Sequence, residues 1–128
     1  MATNQKEIRT DNAPAPVGPY SQAIEVNGVV YCSGQIALDS KSGALVGTTP
    51  AAQAEKLMDN MKAVLEASGL KMSNVVKTTI FLLDMGAFGE VNAVYEKKFS
   101  GHRPARSTVA VSALPKNALV EIECIAVR

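Results

Sequence analysis

Two charged residues lie inside apolar segments near the end of the chain. Arg106 begins the run Arg-Ser-Thr-Val-Ala-Val, and Glu123 lies within Val-Glu-Ile-Glu-Cys-Ile-Ala-Val. Segments of this composition are typical of buried strands, where charges are rarely found unless they are paired or bind a ligand. These two residues are therefore the first candidates for a functional site.

The chemistry of the two side chains indicates a pocket for an organic acid. A guanidinium group offers a rigid fork of donors that matches a carboxylate. A carboxylate can hold or deprotonate a water molecule. Together, Arg106 and Glu123 predict that a small carboxylic acid is bound and hydrolysed.

A hairpin formed by the last two strands would bring these candidates together. If the chain reverses between Pro115 and Lys116, Thr108 lies opposite Glu123 and Arg106 lies one step diagonal to it. A structural Arg–Glu pair that stabilises a strand edge fits the same spacing. From the residues alone, both interpretations stay open.

The first half of the chain contains signals for a hairpin and a helix. Asn27-Gly28 separates two apolar runs and favours a type I′ turn, after which residues 35–38 and 45–46 should continue the meander. Thr49 can cap a helix that has Pro50 at its first position. Apolar residues at helical spacing follow, and Ser68-Gly69 should end the helix.

The second half predicts a strand, a helix and two more strands. Residues 75–83 are apolar on both faces and indicate a central strand, after which Asp84 can cap a helix. Asn92 falls on the inward face of that helix, where a polar group needs a partner or a ligand. The apolar residues on the inward face of this helix are Phe88, Val91, Tyr95 and Phe99. The final strands should span residues 106–111 and 119–127.

This order of elements predicts an α+β fold in which two helices cover one face of a mixed sheet. Residues 1–128 should form a single domain, since a chain of this length can bury a stable core without disulfide bonds or metal ions. The strands at 75–83 and 120–127 leave no clearly polar face, so the uncovered side of the sheet predicts a homo-oligomer.

Composition narrows the function classes. Net charge is +1, from 13 basic and 12 acidic residues without a basic run, so a strong footprint for nucleic acid or for a membrane surface is absent. Cys32 and Cys124 are spaced like reduced core thiols, and the beginning of the chain lacks an apolar signal region, which together predict a cytoplasmic protein. A single histidine, His102, argues against a dedicated metal site.

Several motifs resemble those of the RidA (YjgF-like) family, in the same order and over nearly the whole chain. The resemblance rests on Gly18-Pro19-Tyr20-Ser21-Gln22-Ala23, Cys32-Ser33-Gly34-Gln35, Asn60-Met61, Asn92-Ala93-Val94-Tyr95, Arg103-Pro104-Ala105-Arg106-Ser107, Leu114-Pro115-Lys116, Glu121-Ile122-Glu123 and Ile125-Ala126-Val127-Arg128. It implies a chorismate-mutase-like fold assembled as a homotrimer, with sites in the clefts between subunits. It also implies hydrolysis of reactive 2-imino acids and their enamine tautomers, released by pyridoxal-phosphate enzymes, to 2-oxo acids and ammonia, without a cofactor or metal.

The resemblance assigns roles to individual residues. Arg106 matches the arginine that grips the substrate carboxylate, and Glu123 matches the glutamate that helps to hold the attacking water. The neighbouring Glu121 leaves open which of the two glutamates faces the site. Tyr20 and Ser33 match residues that line the pocket, although a core tyrosine and a strand-end serine are the alternatives.

Three further positions complete the expected substrate-binding set. Asn92 matches a polar residue at the cleft, or is a helix residue whose side chain bonds the nearby backbone. Gly34 would let the backbone approach the ligand, or simply end a strand. Thr108 stands where many members carry cysteine, so a thiol nucleophile is absent there and water attack is favoured. Phe88 and Ile125 either form an apolar wall or belong to the core.

Two other functions compete with hydrolysis. The same arginine cleft would suit a non-catalytic module that binds 2-oxo acids and reports their level. A ribonuclease or translation inhibitor, proposed for relatives, has little support from the balanced charge, because RNA binding usually rests on basic surfaces and exposed stacking groups.

Overall fold

The computed structural model describes residues 4–128, which form one six-stranded mixed sheet with two helices. The strands lie side by side in the order β1-β2-β3-β6-β4-β5. In chain order the elements are β1 Gln5–Ile8, β2 Ala23–Val26, β3 Val29–Gln35, α1 Pro50–Ala67, β4 Val75–Leu82, α2 Phe88–Phe99, β5 Ala105–Ala110 and β6 Val120–Val127. The predicted α+β class is confirmed, and the strand β1 is an element that the sequence pattern did not reveal.

Local signals set the boundaries of the first elements. Asn27 and Gly28 both have positive φ, 51° and 80°, as the turn between β2 and β3 requires. The Thr49 hydroxyl accepts a hydrogen bond of 3.1 Å from the Ala52 amide and caps α1. Gly69, with φ 80°, follows the end of that helix. The predicted meander is reduced to an isolated bridge between Leu38 and Leu45.

The segment β4–α2–β5 is a crossover unit that places β5 parallel to β4. Asp84 caps a single 3₁₀ turn, Met85–Ala87, by accepting a hydrogen bond of 2.9 Å from the Gly86 amide, and α2 begins directly afterwards. A helix of this length between two strands brings the chain back to the end of the sheet at which β4 begins. Parallel pairing is therefore possible, which a tight hairpin does not allow.

The predicted hairpin between the last two strands is wrong. Strand β4 lies between β5 and β6, parallel to the first and antiparallel to the second. Thr108 is in register with Ile80 and Ile122, not with Glu123, whereas Arg106 is in register with Thr78 and Cys124. The hydrophobic pattern specified the faces of the strands but did not specify their order in the sheet.

The core lies between the helices and one face of the sheet. Helix α1 packs against α2, β3 and β6 through an apolar stripe that is inaccessible to solvent. Strand residues of alternating position, such as Ile80, Leu82 and Ile122, meet this stripe. The fully buried helix residues include Leu57, Met58, Met61 and Leu65.

The other face of the sheet carries no helix. Tyr31 on β3 and Val109 on β5 are 48% and 42% exposed there, and Phe81 and Ile125 are half-buried. An uncovered apolar sheet face of this kind favours association with another surface. Within residues 4–128, no helix has the length and apolar character that crossing a membrane would need.

Candidate functional site

The predicted site residues, apart from Thr108, divide between two separate pockets. The first, which we call the glutamate pocket, has a volume of about 420 Å³ and contains Tyr20, Ser33, Gly34, Glu121 and Glu123. The second, which we call the arginine pocket, has a volume of about 440 Å³ and is lined by Asn92, Tyr95, Glu96, Gly101, His102, Arg103, Pro104 and Arg106. The predicted hairpin placed Arg106 beside Glu123, but the structure places these two residues in different pockets.

Glu121 and Gly34 form the floor of the glutamate pocket. The Glu121 side chain crosses Gly34 so closely that a methyl group on that glycine would overlap the carboxylate. A side chain at position 34 would therefore force the Glu121 carboxylate to move, and the group that approaches this glycine in the structure is Glu121. Burial raises the pKa of the Glu121 carboxyl above its usual range, and the nearby negative charge of Glu123 raises it further.

Glu123 lines the same pocket but is exposed to solvent, whereas Glu121 is half-buried. Both point to the sheet face that lacks helices, since Val120, Ile122 and Cys124 alternate with them and are buried. A desolvated carboxylate with a shifted pKa is the better candidate for handling a proton. The geometry thus favours Glu121, and the sequence signal for it was its spacing of two residues from Glu123.

Tyr20 and Ser33 are held at the rim by the backbone around them. The Ser33 hydroxyl donates a hydrogen bond of 2.6 Å to the Ser21 carbonyl. The Tyr20 hydroxyl accepts one of 3.3 Å from the Val17 amide, and its ring is 48% exposed at the pocket mouth. The expected alternative of a core tyrosine is wrong, because a core ring would be enclosed by side chains.

The segment that carries Tyr20 is fixed by a buried glutamine. The Gln22 side chain accepts a hydrogen bond from the Thr10 amide at 2.8 Å and donates to the carbonyls of Thr10 and Pro14 at 3.0 and 2.8 Å. Gln22 is almost inaccessible to solvent, so each of these bonds replaces water that cannot reach the site. This residue supports one wall of the glutamate pocket.

Arg106 is held on the other side of the sheet by groups of α2. Its Nη1 donates a hydrogen bond of 2.7 Å to the Asn92 side-chain oxygen. The guanidinium carbon lies 4.9 Å from the centre of the Tyr95 ring and 5.5 Å from that of Phe88. No acidic side chain within residues 4–128 pairs with Arg106, so donors of its fork are available to a ligand.

Thr108 lies on the same face of β5 as Arg106, as the alternation of the strand predicts. Its Oγ1 atom is buried and has no hydrogen-bond partner among the residues that the structure describes. A buried hydroxyl without a partner is costly, and such atoms often mark a place where a ligand or another chain binds. The expected proximity of Thr108 to Glu123 is wrong.

Three other predicted residues have defined surroundings. Cys32 and Cys124 are free, buried and directly opposite each other on β3 and β6, as expected of core thiols. His102 is half-buried and its Nε2 atom lies 2.6 Å from the Val75 carbonyl oxygen. No group of three or more His, Cys, Asp or Glu residues within 4–128 has the arrangement of a metal site.

The two pockets lie on opposite sides of the sheet and remain apart within one chain. Arg106 shares the helix-covered side with Thr78, whereas the glutamates point to the uncovered side. One pocket supplies an arginine fork that binds a carboxylate, and the other supplies two carboxylates and two hydroxyl groups. A site that uses both sets needs two copies of the chain.

Several known proteins are similar to this chain over almost its whole length. The sequence model of the family described as "Endoribonuclease L-PSP" matches residues 10–128. "Protein DfrA" of Myxococcus xanthus is 52% identical over 96% of this chain and 95% of its own length. A "2-iminobutanoate/2-iminopropanoate deaminase" of Salmonella typhimurium is 49% identical over 96% of this chain and 98% of its own length.

A solved structure has a closely similar fold. The crystal structure of TdcF of E. coli, which contains bound serine, superposes with a TM-score of 0.91. It is 38% identical and covers 96% of this chain and 98% of its own. The six-stranded sheet and its two helices are therefore shared with a relative whose structure contains a small amino acid.

Proposed function

The chain belongs to the Endoribonuclease L-PSP family, which is the RidA (YjgF-like) family, and we propose that it hydrolyses reactive 2-imino acids to 2-oxo acids and ammonia. The proposed substrates are 2-iminobutanoate and 2-iminopropanoate, together with their enamine tautomers. Both imino acids appear in the name of the Salmonella relative. Pyridoxal-phosphate enzymes that eliminate water from hydroxyamino acids would supply them.

The observation that carries this proposal is the desolvated carboxylate of Glu121 at the base of the glutamate pocket. Burial raises the pKa of this carboxyl above its usual range and Glu123 raises it further, which is the environment expected of a group that accepts a proton in catalysis. A pocket of about 420 Å³ is large enough for a three- or four-carbon acid and a water molecule. Tyr20 and Ser33 add hydroxyl groups at its rim.

The reaction follows from the groups in the two pockets. The substrate carboxylate binds the free donors of Arg106 through paired, charge-assisted hydrogen bonds. A water molecule held by Glu121 attacks the imine carbon, its proton passes to the carboxylate, and the C=N electron pair moves to nitrogen. Glu121 passes this proton to the nitrogen, which completes a carbinolamine. The carbinolamine hydroxyl then transfers its proton through Glu121 to the nitrogen, the C–N bond breaks with its electron pair leaving on ammonia, and the C=O bond of the 2-oxo acid forms.

We assign the earlier candidate Glu123 a supporting role in this scheme. Its charge raises the proton affinity of Glu121, and its exposed carboxylate can hold a second water molecule. Orientation and proton transfer are sufficient for a reaction that is already fast in water, and general acid–base catalysis typically contributes about 10²–10⁴-fold.

Two copies of the chain are needed to assemble this site. Arg106 and Glu121 lie on opposite sides of the same sheet, and the uncovered sheet face carries Tyr31 and Val109. We propose a homotrimer, as the family resemblance implies, in which Arg106 of one subunit closes the glutamate pocket of the next. Closed rings of this kind arise from head-to-tail contacts between unlike surfaces.

A trapping assay tests the proposed activity. A threonine dehydratase generates 2-iminobutanoate in the presence of semicarbazide, and absorbance follows the semicarbazone that forms from free imine. The wild-type protein should suppress the semicarbazone signal, and Arg106→Ala should not. Arg103→Ala is the matched control, because Arg103 lines the same arginine pocket but has no described contact with Asn92 or Tyr95.

The result separates the enzyme from the binding module. If the wild-type protein leaves the semicarbazone signal unchanged but binds 2-oxobutanoate in calorimetry, the protein is a non-catalytic module that binds 2-oxo acids, and the proposed activity is refuted. If Arg103→Ala and Arg106→Ala lose activity equally, the specific role of Arg106 is refuted. Suppression by wild type and by Arg103→Ala alone supports the proposal.

A further inference from the structure

Arg106 and Tyr95 belong to a closed chain of contacts between β4, β5 and α2. Arg106 and Thr78 are paired in register across the β4–β5 ladder. The Thr78 hydroxyl shares a hydrogen bond of 2.7 Å with the Tyr95 hydroxyl. The Tyr95 ring in turn lies beneath the guanidinium group, 4.9 Å from its carbon, so the contacts return to Arg106.

The Tyr95 ring is well suited to serve as a fixed platform. Both Tyr95 and Thr78 are buried, and the Phe99 ring packs beside Tyr95 at a centroid distance of 4.7 Å. Burial raises the pKa of the Tyr95 hydroxyl, so the group stays neutral and keeps its hydrogen bond at physiological pH. A platform held at its hydroxyl end and at its side cannot follow the motion of an exposed side chain.

Arg106 itself is exposed and would otherwise be mobile. An arginine side chain has many rotamers, and it loses this conformational freedom when it binds a ligand. Stacking on an aromatic ring fixes the plane of the guanidinium group, and the hydrogen bond to Asn92 fixes its rotation in that plane. The remaining donors then have one direction before the substrate arrives.

We propose that Tyr95, tethered by Thr78, is a positioning residue that pre-orients Arg106 for the substrate carboxylate. This inference rests on the proposed function for the identity of the ligand. Tyr95 acts through Arg106 and exchanges no proton with the substrate. Its contribution therefore belongs to binding of the carboxylate and should change KM more than kcat.

The test compares variants of the platform and of its tether in the whole protein. Tyr95→Leu removes the ring and should weaken binding of 2-oxobutanoate, measured by calorimetry, by roughly 3- to 30-fold, the range of an aromatic–cation contact. KM for 2-iminobutanoate should rise by a similar factor, while kcat changes little. Tyr95→Phe and Thr78→Val keep the ring but lose the tether, so each should give a smaller rise.

The tether variants also provide a check that does not depend on Tyr95→Leu being well folded. Because Tyr95→Phe and Thr78→Val remove the same hydrogen bond, the double variant should weaken binding no more than the weaker-binding single variant. Additive losses would overturn the tether. Unchanged affinity in both single variants and in Tyr95→Leu would overturn the platform.

Val30→Ala is the matched control for lost core packing. Val30 lies on β3, which β6 separates from β4, is as deeply buried as Tyr95 and has no described contact with Tyr95 or Arg106. This variant should lower thermal stability but leave the affinity for 2-oxobutanoate unchanged. If Val30→Ala weakens binding as much as Tyr95→Leu, the effect is general packing and the proposal fails.

Failure of this inference is distinguishable from failure of the proposed function. Absence of imine hydrolysis by the wild-type protein refutes the activity, whereas the calorimetric series still reports how Arg106 is positioned. Active wild-type protein with unaltered binding in all platform variants refutes the positioning role alone.

Discussion

Two glutamates two residues apart on β6 have different surroundings, and this difference determines the roles that we assign to them. Glu121 is half-buried against Gly34, whereas Glu123 is exposed. The sequence identified the pair but favoured Glu123, since spacing along a strand specifies the shared face and not the depth of each side chain. Only the approach of β3, which brings Gly34 beneath one carboxylate, separates the two.

The pH dependence of the reaction tests this difference. Because the reaction needs the Glu121 carboxylate, kcat/KM should fall as pH drops through its raised pKa. Glu123→Gln removes the neighbouring charge, so the acidic limb should move to lower pH while activity is retained. Glu121→Gln should lower kcat by about 10²–10⁴-fold. A larger loss in Glu123→Gln than in Glu121→Gln would contradict the assignment.

The geometry of the arginine fork gives a second test at this scale. Arg106→Lys keeps the charge but loses the paired donors and the stacked plane over Tyr95. Its KM for 2-iminobutanoate should rise by about 10- to 100-fold, the equivalent of one strong charge-assisted contact. Arg103→Lys, in the same pocket, should leave KM unchanged. Equal effects of the two lysine variants in steady-state kinetics would show that charge alone is sufficient.

At the scale of the elements, local signals were reliable and the pairing of distant strands was not. The turn at Asn27-Gly28 and the cap at Thr49 depend on neighbouring residues, and both were predicted. The strand–helix–strand order around α2 is itself a signal for parallel pairing, which the hairpin interpretation overlooked. Arg106 was therefore predicted beside Glu123, although β4 separates their strands.

The wall formed by the segment 10–20 depends on one buried side chain. Gln22→Leu leaves the backbone groups of Thr10 and Pro14 without their partners, so unfolding free energy should fall by about 1–3 kcal/mol. Amide hydrogen exchange in residues 10–20 should also become faster. Gln53→Leu is the control, because Gln53 is equally buried but bonds Gly47 and Leu119 instead. Unchanged exchange in Gln22→Leu would contradict this role.

At the scale of the whole molecule, the two halves of the proposed site lie on opposite sides of one sheet. The sequence predicted the exposed apolar face, because its last strands lack a polar side, but it contains no direct signal of which surfaces meet. Tyr31 and Val109 lie on that face. An assembly in which subunits meet head to tail would cover the face and close each glutamate pocket with an arginine.

Mixing two inactive variants tests the central claim most directly. Arg106→Ala and Glu121→Gln, each inactive alone, are co-expressed with different tags, and the doubly tagged assemblies are purified and assayed with semicarbazide. If each site takes Arg106 from one subunit and Glu121 from the next, every doubly tagged assembly of the proposed trimer has one intact site, so about a third of the wild-type sites is restored. Recovered imine hydrolysis near that level is the predicted result. Doubly tagged assemblies as inactive as the separate variants would contradict a site shared between subunits.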